Sequence, residues 1–335
     1  MTSALASLTE LIRPQLAAVE DLFHSELSSD LKCVNTLVKH VSRFRGKMLR
    51  PCLVLLTAKA VNPTGQLTAD HVKLATVVEM VHMATLVHDD VLDEAELRRK
   101  GATINHLRGN EAAVILGDYL ISHSYHLCSD VDNASRGLPS QYASRLIAKT
   151  TNDVCSGELL QLDNRNNLDL DEQTYLEIIK RKTAVLTAVC CRLGAAFAGG
   201  SEAVTEAMEL YGLSLGVAFQ IQDDILDLVG DAGSVGKTLG IDIEKGKMTL
   251  PLIHFMRTAP AEHQALLRSL LSEGGAADRA EKIRNLVIPS GSLQYARDRA
   301  RALVDRARGC LSGLPDSEAK RVMDTMAEFV VTRPM

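Results

Sequence analysis

The chain has 335 residues, 46% of them apolar but only 4% aromatic, with no Trp. That points to a core of Leu, Val, Ile, Ala and Met, material suited to packed helices. A formal charge of −5 offers no basic field for holding nucleic acid. Seven cysteines, an odd number without a Cys-x-x-Cys spacing, read as reduced, small apolar core residues of a reducing cytosol.

No Pro/Gly/Ser-rich linker or composition shift divides the chain, so residues 1–335 read as one all-α domain, a bundle of long helices. The stretch to Phe23 reads as an amphipathic helix carrying Glu10, Glu20 and Asp21, and lacks the basic start, apolar run and cleavage site of a secretory signal. Gly46-Lys47-Met48-Leu49-Arg50-Pro51 marks a helix start, with Pro51 suited to the first turn and Lys47 and Arg50 able to serve an anion. Asn62, Pro63 and Gly65 break the chain before Thr68, the N-cap expected for a helix running through Val77, Val81 and Thr85 to the vicinity of Asp93.

Further helices are expected from about Asn110 to Val131 and from about Pro139 to Leu162. Asp169 with Glu172 resembles a capping box that opens a helix reaching the Gly199-Gly200 stop. The most apolar stretch, Ala184 to Gly200, contains Arg192 and is too short for a membrane span. Ser201 caps a helix ending near Gly230, a Gly/Lys/Asp-rich loop extends to Leu250, and the last third is helical.

One short self-similarity carries the chemistry: Asp89-Asp90-Val91-Leu92-Asp93 against Asp223-Asp224-Ile225-Leu226-Asp227. Residues four apart on a helix are offset by only about 40°. Asp89 with Asp93, and Asp223 with Asp227, can therefore each aim at one spot. Carboxylate oxygens suit Mg²⁺, which completes its shell with water and phosphate oxygens, so two such clamps could hold a diphosphate. The plainer alternative is two acidic helix ends on the surface. Acid at a helix C-terminus opposes the macrodipole by about 0.3–1 kcal/mol per charge, and its duplication behind the apolar lead-ins MATLVH and VAFQIQ favours the metal reading.

Cations stand where a metal-bound diphosphate needs them. Arg98 and Arg99 follow the first motif, Lys237, Lys245 and Lys247 follow the second, and Lys47 and Arg50 add a second anion site. His82 is a candidate phosphate donor, and His88 reads as a packed or capping histidine.

The segments GKMLRP, EMVHMATLVHDDVLDEAELRR, GELLQL, KTA, FQIQDDILD and GKTLGIDIEKGKMTLPL, from about Gly46 to Leu252, resemble the ordered motifs of trans-polyprenyl diphosphate synthases, the long-chain octaprenyl type above all. The resemblance implies an all-α bundle around a deep cavity, usually a homodimer. It implies Asp89, Asp93 and Asp223 as Mg²⁺ ligands, three ions with substrate bound and Mn²⁺ as a substitute, with Asp90, Asp224 and Asp227 in direct or water-mediated support. Lys47, Arg50, His82 and Arg99 would hold isopentenyl diphosphate. Arg98, Lys182, Thr183, Gln220, Lys237 and Lys247 would face the allylic diphosphate or the departing pyrophosphate, and oxygens of Lys182, Thr183 and Gln220 would ease the transient cation. Met48 and Leu49 fill the variable pair, Arg181 stands where Ser is frequent, and Arg98-Arg99-Lys100-Gly101 displaces the usual Gly.

The implied reaction is ionisation, condensation and elimination, joining farnesyl or geranylgeranyl diphosphate to isopentenyl diphosphate. Ala84 and Thr85 lie about one turn below Asp89. Neither is bulky, so a product longer than farnesyl is expected, with Val81, Tyr119 or Tyr125 as candidate deeper floor residues, although each Tyr taken singly reads first as core packing. The alternatives are a short-chain farnesyl or geranylgeranyl diphosphate synthase, a terpene cyclase, a metal-dependent phosphohydrolase and a non-catalytic regulatory subunit. The expected setting is the cytoplasm, with peripheral membrane contact for product release.

Overall fold

The computed structural model describes residues 10–44, 46–99, 101–229, 241–272 and 279–332. Helices α1 (Arg13–Glu26), α2 (Lys32–Val41) and α3 (Leu49–Val61) lead to α4 (Ala69–Leu92), which ends on the first aspartate motif. A hairpin of β1 (Leu97–Arg98) and β2 (Gly101–Ala102) follows, Leu97 opposite Ala102 and Arg98 opposite Gly101. Next come α5 (Ile104–Arg108), α6 (Asn110–Ser129) and α7 (Tyr142–Asp163). Helix α8 (Glu172–Ile179) passes through a π-helical turn, Lys180–Ala184, into α9 (Val185–Phe197), and α10 (Glu202–Val229) carries the second motif. The chain continues through α11 (Ile241–Glu244), α12 (Leu250–Thr258), α13 (Ala261–Ser272), α14 (Arg279–Val287), α15 (Ser292–Cys310) and α16 (Glu318–Thr332).

The all-α expectation is borne out, and among the described residues the hairpin is the one sheet. One helix expectation needs correction. The cap before Glu172 is Asp171, whose side chain accepts from the Thr174 N–H at 2.7 Å, while Asp169 pairs with Arg268. The helix expected to run unbroken from there to Gly199-Gly200 is interrupted by the π turn.

The described residues gather into two compact units. The first draws on 1–151, 186–209 and 313–323, the second on 152–185, 210–312 and 324–335. In the first, α4 packs against α1, α3 and α6. Helix α3 is buried all round from Pro51 to Ala58, as its continuous apolar sequence requires. Glycines set the spacing: a Cβ at Gly194 would meet the Val54 carbonyl at 2.3 Å, and one at Gly117 would meet His88 Nε2 at 2.1 Å. The second unit packs α8, α10, α12 and α15 around Tyr175, Ile221, Ile225, Phe255 and Ala296.

All seven cysteines are free. Cys52, Cys128, Cys190 and Cys191 are buried as expected, but Cys33 and Cys155 are exposed and so are not core residues. Among the described residues no helix is long and apolar enough to cross a membrane.

The start of α4 is a capping box in which histidine replaces the usual Glu or Gln. The Thr68 N–H donates to His71 Nδ1 at 3.1 Å, the Thr68 hydroxyl lies 2.9 Å from the same nitrogen, and Arg136 donates to that hydroxyl at 3.2 Å. Burial, then Arg136, lowers the His71 pKa to about 4. Because the native pKa lies below the unfolded value of about 6.5, the unfolded chain binds the proton more tightly and stability falls as pH drops from 6.5 toward 4. Urea denaturation at pH 7.5 and 5 should show a loss of about 2 kcal/mol from this residue, and His71→Gln, which keeps the acceptor without titrating, should remove that part of the pH dependence.

Candidate active site

The first motif closes α4. Asp89 and Asp93 stand one turn apart and half-buried, joined along the backbone by the Asp93 N–H donating to the Asp89 carbonyl at 2.8 Å. Asp90 points the other way and is only 3% exposed. Arg98 Nε donates to both of its oxygens, at 2.9 and 3.0 Å, and Nη2 lies 2.8 Å from Oδ1. Arg98, expected at the allylic diphosphate, is thus engaged by Asp90 in this structure.

The β1–β2 turn leaves Arg99 with φ +48°, a left-handed backbone that a two-residue hairpin turn demands. Its guanidinium donates to the Phe44 carbonyl at 2.5 Å and lies over Gly46, where a Cβ would approach Nη1 to 2.4 Å. Phe44 in turn covers Gly101 and packs edge-on to His40, whose Nε2 lies 2.8 Å from the Ala102 carbonyl. These contacts anchor the hairpin beside the Gly46-Arg50 segment, whose Met48 is also left-handed at φ +53°.

Arg50, His82 and Arg99 are brought into one electrostatic neighbourhood. Burial holds His82 well below its ordinary pKa, and Arg50, Arg99 and Arg98 push it further down, so the ring is neutral. Burial also lowers Arg50, opposed by Cys190 and Glu79. Among the described residues Arg50 Nε is a buried donor without a hydrogen-bond partner, which leaves it able to take an anion. Lys47 is exposed. Glu79, 2% exposed and one turn before His82, escaped the sequence reading; its signal was a lone carboxylate in the apolar run of α4. His88 is packed as read, its Nε2 3.1 Å from the Val114 carbonyl.

Below the motif, Ala84 and Val81 are fully buried. The Thr85 hydroxyl donates to the His82 carbonyl at 2.8 Å. Tyr119 and Tyr125 are half-buried, with the Tyr119 ring 4.3 Å from that of His123.

In the second unit Asp223 and Asp227 again stand one turn apart, and Asp227 accepts from the Asp242 N–H at 3.0 Å. Asp224 is turned inward: Tyr175 donates to its Oδ2 at 2.6 Å and Gln220 Nε2 to its Oδ1 at 2.9 Å. Burial, with Asp242 and Asp223 nearby, raises Asp224 to about 8 against the opposing pull of those two donors. Thr183 completes the chain, its hydroxyl donating to Gln220 Oε1 at 3.1 Å. Lys182, Thr183, Gln220, Asp224, Asp242 and Lys247 line one pocket, in which Lys247 lies 3.7 Å from Asp242.

The π turn, closed by the Val185 N–H on the Lys180 carbonyl, sets the directions of Lys182 and Thr183. It lies so close to α7 that a Cβ at Gly157 would come within 2.6 Å of the Lys182 backbone nitrogen. Glu158 pairs with Lys182 and is steadied by Gln161 Nε2 at 3.1 Å. Arg181, where Ser is frequent, is taken up by Glu177 at 2.6 Å and Asp153 at 3.3 Å. Glu158, Tyr175 and Asp242 also went unassigned in the sequence, although Glu158 lies within the quoted GELLQL segment. Lys237 lies outside the described residues.

Metal fit can be judged from the donors. Each motif offers two carboxylates a turn apart, and among the described residues no three acidic, His or Cys side chains gather closely enough to hold an ion alone. Mg²⁺ characteristically takes one or two carboxylates and completes its shell with water and phosphate, so the donor set fits.

The polyprenyl synthetase family model matches residues 31–287. The chain belongs to the polyprenyl synthetase family. It is 33% identical to the octaprenyl diphosphate synthase of Haemophilus influenzae over 324 residues, 97% of this chain and 95% of that one. The crystal structure of a decaprenyl diphosphate synthase from Rhodobacter capsulatus superposes with a TM-score of 0.89 at 33% identity, covering 98% of this chain and 99% of that chain. The geranylgeranyl pyrophosphate synthetase from Pyrococcus horikoshii gives 0.87 at 26% identity, covering 99% of each chain. The expectation of a prenyltransferase with the isoprenoid synthase fold is borne out.

Two glycine substitutions separate stability from site geometry. In Gly46→Ala the atoms nearest the added methyl all belong to the flexible end of Arg99, so stability should change by no more than about 0.5 kcal/mol while pyrophosphate binding, read by calorimetry, weakens. Gly157→Ala meets backbone and should destabilise by about 1–3 kcal/mol in the same denaturation assay.

Proposed function

We propose that this chain condenses an allylic diphosphate, farnesyl or geranylgeranyl, with isopentenyl diphosphate to make a long-chain all-trans polyprenyl diphosphate, releasing pyrophosphate. The observation that carries this reading is the assembly of Arg50, neutral His82 and Arg99 in one unit and of the Lys182, Thr183, Gln220 and Lys247 pocket in the other, each beside a two-carboxylate clamp. The match to the family model spans stretches of both units, which supports reading the chain as one catalytic domain.

In this reading Lys47, Arg50, His82 and Arg99 hold isopentenyl diphosphate, the Arg forks and the neutral His N–H donating to its oxygens. Lys182, Lys247 and Lys237 stabilise the pyrophosphate as the allylic C–O bond breaks and its electron pair leaves with oxygen. Arg98 acts from its pairing with Asp90. Asp89, Asp93 and Asp223 would hold Mg²⁺, with Asp90, Asp224 and Asp227 in support, and the ion would supply charge neutralisation to the diphosphate; Mn²⁺ would offer the same chemistry. The isopentenyl double bond attacks the allylic carbon, the new C–C bond forms, and a proton passes to a pyrophosphate oxygen to restore the alkene. Oxygens of Lys182, Thr183 and Gln220 face the transient positive charge. The reading includes a homodimer, which would cover the exposed Val114 and Ile115 of α6, and a cytoplasmic enzyme that touches membrane only to release product.

Purified protein given Mg²⁺, farnesyl diphosphate and labelled isopentenyl diphosphate should yield products longer than geranylgeranyl. Products that stop at farnesyl or geranylgeranyl reject the long-chain assignment. Asp89→Ala and Asp223→Ala should each cut kcat at least about 100-fold with helical circular dichroism retained. Wild-type turnover in either removes that residue from the metal site.

Product length should respond to the wall below the clamp. Thr85→Phe places a ring one turn under Asp89 and should shift the product distribution to shorter chains by chromatographic sizing; an unchanged distribution removes residue 85 from the wall.

A further inference from the structure

We propose that Tyr175 is a positioning residue for the ionisation step: through Asp224 it fixes the Gln220 amide so that the pocket wall turns oxygen, not N–H, toward the reacting carbon. This rests on the reading of the pocket as the allylic diphosphate site.

The chain of contacts is continuous and directional. The Tyr175 hydroxyl donates to Asp224 Oδ2 at 2.6 Å, Gln220 Nε2 donates to Asp224 Oδ1 at 2.9 Å, and the Thr183 hydroxyl donates to Gln220 Oε1 at 3.1 Å. With Tyr175 on one carboxyl oxygen, the other is left to receive the amide NH₂. Against an ionised Asp224, the reversed amide would bring two acceptor oxygens together and turn an NH₂ group toward Thr183. In the observed sense, Gln220 Oε1 and Thr183 Oγ1 contribute lone pairs to the pocket wall, and these favour a carbon acquiring positive charge.

Tyr175 is rigid enough for this task. It is 3% exposed, lies in the core with Ile178, Ile221 and Ile225, and sits in the first turn of α8, capped by Asp171. Thr183 at the other end belongs to the π turn held against Gly157. Both ends of the relay are fixed by packing, so the amide between them has one low-energy sense.

Tyr175→Phe keeps the ring and removes the hydroxyl. Expected are a kcat about tenfold lower, KM for both diphosphates within about twofold of wild type, and an unchanged Mg²⁺ activation curve. Asp224→Asn can present either end of its own amide to Gln220 and should give a similar loss, and the double variant should be no worse than about the larger single effect. Wild-type kcat in Tyr175→Phe, a loss confined to KM, or additive single effects would overturn the relay. Should Tyr175→Phe fail to fold, Asp224→Asn reads the next link, and unchanged kcat there overturns it equally. A wild-type protein that forms no elongated product defeats the functional reading and the relay with it, whereas normal elongation with an unimpaired Tyr175→Phe defeats the relay alone.

Discussion

Neighbouring residues on a helix point about 100° apart, and this angle organises both aspartate motifs. If the first and last carboxylates of D-D-x-x-D share a face, the second aspartate must turn into the protein, where a carboxylate without partners is costly. The two units meet this demand differently. Asp90 receives a full opposite charge from Arg98, while Asp224 receives two neutral donors, Tyr175 and Gln220. Burial, with Asp242 and Asp223 nearby, raises the Asp224 pKa to about 8 against the pull of its two neutral donors. Each inward aspartate is also what aims its neighbours, Arg98 and the hairpin in one unit and Gln220 in the other.

The pairing of Asp90 with Arg98 fixes one end of the β1–β2 hairpin, and Phe44 with His40 fixes the other, so Arg99 at the turn is held over Gly46. That draws Arg99 into the electrostatic field of Arg50 and His82. Like charges so arranged repel one another, and the structure offsets this in two ways: His82 is kept neutral, and the buried Glu79 supplies a countercharge to Arg50 and Arg99. On the proposed assignment, an incoming diphosphate would meet donors already in place, with little reorganisation required.

Much of this was legible in the sequence because it is local. Thr68 as a cap, the ends of α4 and α10, and the i, i+4 pairing of the outer aspartates follow from helix geometry and short-range chemistry. The inward partners were not legible because they come from elsewhere in the chain. Nothing near Asp224 in sequence marks Tyr175, 49 residues away, as its donor. The cap at Asp171 was misplaced to Asp169 because both are acidic and lie close ahead of Glu172; what distinguishes them is the extended backbone of Asp171 and the pull of Arg268 on Asp169. The π turn left no mark in the apolar periodicity, since the extra residue it accommodates falls among Lys180, Arg181 and Lys182, where there is no apolar pattern to shift.

Reaction type and product length rest on different kinds of interaction. Relatives named for decaprenyl and for geranylgeranyl products share this fold almost equally, so the fold alone does not set the length. Length must depend on side-chain volume along the path of the growing tail, a quantity that varies without disturbing the ion pairs. Thr85 joins the two concerns. Its hydroxyl is bonded to the carbonyl of His82, so the residue proposed as a small wall beneath the clamp also ties down the turn that carries the His82 ring. A small residue there that still makes this bond preserves both tail space and ring position, which is why threonine suits the place better than its volume alone would indicate.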